Sequence, residues 1–110
     1  MNLDKWQSQI RKGTLELIIL LALNKTEYYG YELIRTIRDT LDMDMSEGTI
    51  YPILTRLKKA ELVSSRWDHA ESGMPRKYYQ ITNKGLQTLQ AMTTEWKNFS
   101  GSIDKLMESK

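Results

Sequence analysis

Ser46-Glu47-Gly48-Thr49-Ile50-Tyr51-Pro52-Ile53-Leu54-Thr55-Arg56-Leu57-Lys58-Lys59-Ala60 is followed by Leu62-Val63-Ser64-Ser65-Arg66-Trp67, a polar turn, and Arg76-Lys77-Tyr78-Tyr79-Gln80-Ile81-Thr82. The first of these segments reads as a helix. Ser46 is a favoured N-cap type, and Ile50, Ile53, Leu54 and Leu57 recur at three- and four-residue steps, as one buried stripe requires. Arg56, Lys58 and Lys59 lie off that stripe. Pro52 removes a backbone hydrogen bond near the start, so the spacing predicts an irregular first turn or a helix proper beginning nearer Pro52. Leu62 to Trp67 and Lys77 to Ile81 are short and rich in β-branched and aromatic residues. Asp68 to Arg76 separates them and holds Ser72, Gly73 and Pro75, as a loop tip would. The prediction is a hairpin with a basic return strand.

The flanking segments read as helices. From about Gln9 through Leu23, Leu15, Ile18, Ile19 and Ala22 keep one helical face. Leu17, Leu20, Leu21 and Leu23 add apolar groups on the other sides, so this helix is expected centrally or between subunits. Gly13 within it marks a kink or close packing. A second helix is expected from about Tyr29 to Leu41 with Tyr31, Leu33, Ile34, Ile37 and Leu41 as its stripe, and Asp42 to Met45 as a short connection. Thr82 caps a last helix, roughly Asn83 to Glu108, with apolar residues Leu86, Leu89, Met92, Trp96, Phe99, Ile103 and Leu106. From Met92 onward the steps are those of a heptad seam. About two heptads are too few for a free-standing coiled coil, but they suit a helix that pairs with a second chain. The expected dimer interface is Leu89, Met92, Trp96, Phe99, Ile103 and Leu106.

A chain of 110 residues is one domain by size, and one this small often gains stability by pairing. It has no cysteine and one histidine, His69. Disulfides and thiolate zinc sites are therefore excluded. Asp42, Asp44 and Ser46 have the spacing of the first ligands of a calcium loop. Gly48 falls one place late, however, and Ile53 stands where the closing glutamate belongs, so no metal is expected. No nucleophile–base pair or phosphate loop is evident, so neither an enzyme nor a cofactor is expected. The start of the chain lacks the pattern of a signal peptide, and Leu17 to Leu23 falls short of the roughly 20 residues that cross a bilayer. A cytoplasmic location without a membrane partner is the expectation. The net charge of +2 is only mildly basic.

The expected class is thus mainly α with a small β-hairpin (α+β). A helix presenting small polar residues beside a basic hairpin is a winged helix-turn-helix arrangement, which reads DNA. It spans 1–82, with its N-terminal helix also at the dimer interface, and 83–110 form the C-terminal dimerisation helix. The chain resembles the PadR family of transcriptional regulators, in the short form with a single C-terminal helix. The resemblance rests on Gly30-Tyr31-Glu32-Leu33, Gly48-Thr49-Ile50-Tyr51-Pro52 with Arg56-Leu57, Leu62 to Trp67, and Arg76-Lys77-Tyr78-Tyr79 followed by Thr82 and Gly85. It covers nearly the whole chain in order. The tip, Ser72-Gly73-Met74-Pro75, departs from the family in placing Met74 where a basic residue or glycine is frequent.

The start of the reading helix enters the major groove in such proteins. Ser46, Thr49 and Thr55 offer short hydroxyls, and Gly48 admits a close backbone approach. Tyr51 offers a ring to a thymine methyl or a hydroxyl to phosphate. Lys58, Arg76 and Lys77 suit backbone anchoring, which supplies affinity rather than sequence information. Glu47 must point away from phosphate or accept from a cytosine amine. Between Ser46 and Lys77 six basic residues face four acidic ones, so affinity per subunit should be modest. Two reading helices roughly 34 Å apart imply an imperfectly palindromic operator.

Tyr31 reads as core, Trp67 as packed under the wing, His69 as a solvated surface group. One of Tyr78 and Tyr79 faces the core, because strand side chains alternate. Trp96 carries two readings. It is a seam aromatic, or, as the resemblance implies, it stacks on a flat aromatic or cationic effector at the dimer interface, where an indole face is favoured. Trp6, Ile10, Leu15, Ile18, Met92 and Phe99 are then the candidate lining. A dimeric repressor released by such a ligand is the leading expectation. A ligand-blind winged-helix adaptor for DNA or protein is the alternative.

Overall fold

The computed structural model describes residues 1–42, 45–69 and 73–108. Helix α1 (Leu3–Lys25) leads into a short strand β1 (Tyr28–Tyr29), then helices α2 (Gly30–Leu41) and α3 (Glu47–Lys59). Strands β2 (Val63–Asp68) and β3 (Arg76–Ile81) follow, and α4 (Asn83–Glu108) ends the chain. The sheet is antiparallel with the order β1-β3-β2. The expectations placed on Met43, Asp44, Glu71 and Ser72 fall outside the described residues.

Helix α1 starts six residues before the apolar repeat that announced it. The Asn2 side chain accepts from the amides of Asp4 and Lys5, at 2.9 and 3.4 Å, satisfying two of the free donors at a helix start. The helix runs unbroken through Gly13. A side chain there would meet nothing within 4 Å, so neither the expected kink nor close packing accounts for it. Leu15, Ile19, Leu20 and Leu23 are buried, and α1 packs against α2, α3, α4 and β3. The expected central position is found.

The stripe of α3 is as the spacing implies, with Ile50, Ile53, Leu54 and Leu57 buried. Pro52 does not delay the helix. Thr49 and Ile50 both donate to the Ser46 carbonyl, at 3.1 and 3.2 Å, which closes the first turn before the proline. The bond lost at Pro52 is the one to Gly48, so a single carbonyl in that exposed turn goes without its helical partner. The C-terminus closes as a Schellman motif: Leu62 N–H donates to Leu57 O and Glu61 N–H to Lys58 O, both at 3.0 Å. Glu61 takes the left-handed position at φ 64°, usually given to glycine.

Strand β1 is a departure from the expected two-stranded hairpin. Tyr28 pairs with Tyr79 and Tyr29 with Tyr78. Two residues are too few to show alternation. The Tyr29 and Tyr78 rings meet edge to face at 5.8 Å. In the β2–β3 ladder Val63 faces Ile81 and Trp67 faces Lys77. Tyr79 is the inward member of its pair, as alternation requires.

Thr82 ties the sheet to α4. Its amide donates to Leu62 O at 3.1 Å, its hydroxyl donates to Glu61 O at 2.7 Å, and Gly85 N–H donates to that hydroxyl at 2.9 Å. A Cβ on Gly85 would lie 2.1 Å from Leu62 O, so only glycine lets α4 cross here. Within α4 only Gly85 and Leu89 are buried. Met92 packs against the core from its edge, and the helix beyond it projects, giving a molecule of 61 × 31 × 21 Å.

Candidate nucleic-acid interface

The outer face of α3 presents Ser46, Gly48, Tyr51, Thr55 and Lys58, all exposed, with Thr49 half-buried beside them. Ser46 and Thr49 share a hydroxyl–hydroxyl hydrogen bond of 3.1 Å, while Thr55 donates back to Tyr51 O at 3.0 Å. Ser46 thus caps by position and carbonyl rather than by side chain. Arg56 pairs with Glu16 of α1 at 3.6 Å.

Tyr51 leans on the start of α2. A Cβ on Gly30 would fall 2.3 Å from the Tyr51 hydroxyl oxygen, so this glycine makes room for the ring. Burial raises the Tyr51 phenol above its ordinary 10.0, with the Glu47 carboxylate adding to the effect. Tyr79 is raised first by burial and then by Tyr51. Lys77 is lowered by burial and then by Lys58, whose ammonium faces its own. Two of the expected anchors are therefore neighbours across the joint between α3 and β3. Two like charges held side by side favour an anion between them.

The wing residues are less free than the sequence implied. The Arg76 guanidinium lies 4.8 Å from the Tyr29 ring centre, a cation–π distance. Arg66 pairs with Glu27 and sits 4.9 Å from the Tyr78 ring. Trp67 does not pack under the wing: it is 59% exposed, and the Lys77 ammonium stands 5.7 Å from its ring. Tyr31 is likewise not core, at 51% exposure. With Tyr51 and Lys77 these two aromatics border a cleft of about 350 Å³. Both were placed inside on hydrophobicity alone, although Tyr and Trp commonly keep one edge wet. His69 is exposed, as expected.

A second cleft, of about 730 Å³, lies between α1 and α4. It brings together Trp6, Ile10, Met92, Trp96 and Phe99, five of the seven residues assigned to an effector, along with Ile103. Leu15 and Ile18 do not join them. Leu15 is 2% exposed in the core and Ile18 packs against that core. The cleft face of α1 runs through Ile10, Gly13, Thr14 and Leu17, and at about 100° per residue Leu15 points away from it. Leu89 also belongs to the subunit's own core, at 4% exposure, so it is withdrawn from the expected seam. Leu106 is exposed outside the cleft, and Met107, not singled out from the sequence, lines it instead. Glu95 and Gln9 supply its polar rim.

Among the described residues no helix is long and apolar enough to cross a membrane. Comparison with known proteins agrees with the geometry. The family model described as "Transcriptional regulator PadR-like family" matches residues 19–91. A protein from Lysinibacillus sphaericus is 34% identical over 104 residues, covering 93% of this chain and 95% of the relative. A PadR family regulator from Eggerthella lenta superposes with a TM-score of 0.87 at 31% identity, over 98% of this chain and 94% of the other. A PadR-like regulator from Bacillus cereus gives 0.85 at 36% identity, over 93% and 99%. With its three-stranded sheet, exposed α3 face and projecting α4, the chain belongs to the PadR-like family of DNA-binding transcriptional regulators.

Proposed function

We propose that the chain works as a homodimeric repressor, released from an imperfectly palindromic operator by a flat aromatic or cationic ligand bound between α1 and α4. The reading is carried by one observation. Trp96 and Phe99 are 42% and 59% exposed on a helical arm that leaves the subunit's core, facing Trp6 and Ile10 across an apolar cleft. The radius of gyration, 16.1 Å, exceeds the about 13 Å expected of a compact chain this long, so much of α4 lacks cover within the subunit. A second copy supplies that cover. Ser46, Gly48, Thr49, Tyr51 and Thr55 then read bases, and Lys58, Lys77 and Arg76 hold phosphates. Ligand at the arm alters the angle between subunits and so the separation of the reading helices. The three- and four-residue spacing of Trp96, Phe99 and Ile103 favours one alternative, a ligand-blind regulator in which these residues only pack.

The test is Trp96 fluorescence in a Trp6→Phe/Trp67→Phe background, titrated with planar aromatic and cationic compounds. Saturable quenching with loss of DNA binding is expected. No quenching by any compound in an intact dimer leaves the ligand-blind reading. Ile103→Glu should give monomers that bind DNA weakly, as sedimentation would show; a persisting dimer refutes the seam.

A further inference from the structure

Helix α1 carries a second stripe, on the side opposite its aromatic one. Ser8, Arg11, Lys12 and Leu15 follow at steps of three, one and three, so they share one face. That face borders a groove of about 260 Å³ whose opposite wall is Arg38, Met45, Ser46 and Thr49. Ser46 and Thr49 begin the reading helix. Three cationic side chains and three hydroxyls therefore line one groove, and none of its lining residues is acidic. Arg11 and Lys12 take part in neither ion pair found among the described residues. Arg38 donates from Nε to Met45 O, which fixes its guanidinium and leaves the terminal nitrogens uncommitted among the described residues. Unpaired cations gathered beside hydroxyl donors in a concave, polar groove favour an oxyanion.

We infer that this groove is a third DNA contact, in which Arg11 and Lys12 of α1, with Arg38, hold a backbone phosphate next to the bases read by α3. The inference rests on the DNA-binding reading and extends it to an element outside the helix-turn-helix and the wing. The groove adjoins the reading helix directly, so a duplex seated on α3 brings its phosphates to it. Its contribution is sequence-independent. It positions the start of α3 from the side opposite Lys58 and Lys77, and a helix start braced by phosphates on both flanks has little freedom to slide along the groove of the duplex.

The experiment compares wild type, Arg11→Gln/Lys12→Gln, Arg11→Glu/Lys12→Glu and Lys77→Ala for binding to a labelled duplex of random sequence over a range of chloride concentrations. Arg38 is left in place because it holds Met45. One phosphate lost per subunit should flatten the slope of log K against log salt by roughly 1.8 per dimer. The glutamate pair should bind more weakly than the glutamine pair, with melting temperature and dimer mass unchanged in both. An unaltered slope in both pairs, while Lys77→Ala flattens it, overturns the groove and leaves DNA binding standing. No salt-dependent binding by wild type overturns both. Stabilisation of wild type but not the glutamine pair by inorganic phosphate, at matched ionic strength and with an unchanged DNA slope, also overturns it, in favour of a free anion.

Discussion

Gly85→Ala separates two opposed effects whose signs the structure decides. In an ordinary helix the change is favourable, by up to about 1 kcal/mol. Here the new methyl would stand 2.1 Å from the Leu62 carbonyl oxygen and 2.7 Å from Ile81 Cγ1. Real Cβ atoms essentially never come within 3.0 Å of such a neighbour, so α4 must retreat by about 1 Å. The obstacle is backbone, held in place by the amide of Thr82, and cannot swing aside. Overpacking of this kind costs about 1–3 kcal/mol. The retreat also strains three hydrogen bonds at Thr82, each contributing about 1 kcal/mol. The net expectation is a loss of about 2–4 kcal/mol, a large share of a small domain's stability. Urea denaturation reads it as a midpoint lowered by about 1–2 M. Gly101→Ala, in the same helix with nothing within 4 Å of the added carbon, is the control and should be neutral or stabilising. A Gly85→Ala protein as stable as wild type would refute the close approach and the joint built on it.

Two further outcomes are expected. Glu61→Gly relieves a left-handed residue at the end of α3 and should stabilise by about 0.5–1 kcal/mol, seen as a raised melting temperature; a lower one would sink the Schellman assignment. Tyr51 and Tyr79 are raised above 10.0, so the stability they contribute is complete below pH 10 and is lost as pH rises through their folded values. Absorbance titration should show these phenols ionising late, and Tyr79→Phe should soften the alkaline loss of stability; an unchanged alkaline profile in that variant would contradict the burial argument.

Periodicity was legible wherever one face of an element is apolar and the other polar. The α3 stripe and the inward Tyr79 are of that kind. It failed on α1, where apolar residues surround the helix and nothing in the pattern says which side meets the core, α4 or solvent. Leu15 and Ile18 were misassigned for that reason. Leu89 was misassigned because a heptad count does not reveal where a helix leaves its own core. Strand β1 owes its existence to pairing with β3, a long-range effect invisible in two tyrosines. Trp67 and Tyr31 were read inward because hydrophobicity ignores the cations beside them. The basic face of α1 was overlooked because Arg11 and Lys12 acquire meaning only when folding sets them against Ser46.

That one helix borders both clefts has a thermodynamic consequence. Trp6 and Ile10 on one stripe, and Arg11 and Lys12 on the opposite one, are rigidly joined by the same hydrogen-bonded turns. Any compound that shifts α1 and weakens DNA binding by a given factor must itself bind more weakly to the DNA-bound protein by that same factor. The concentration of compound needed for a response then rises with the amount of DNA competing for the protein. Sensitivity becomes a property of the whole population of binding sites in the cell, and not of the cleft alone.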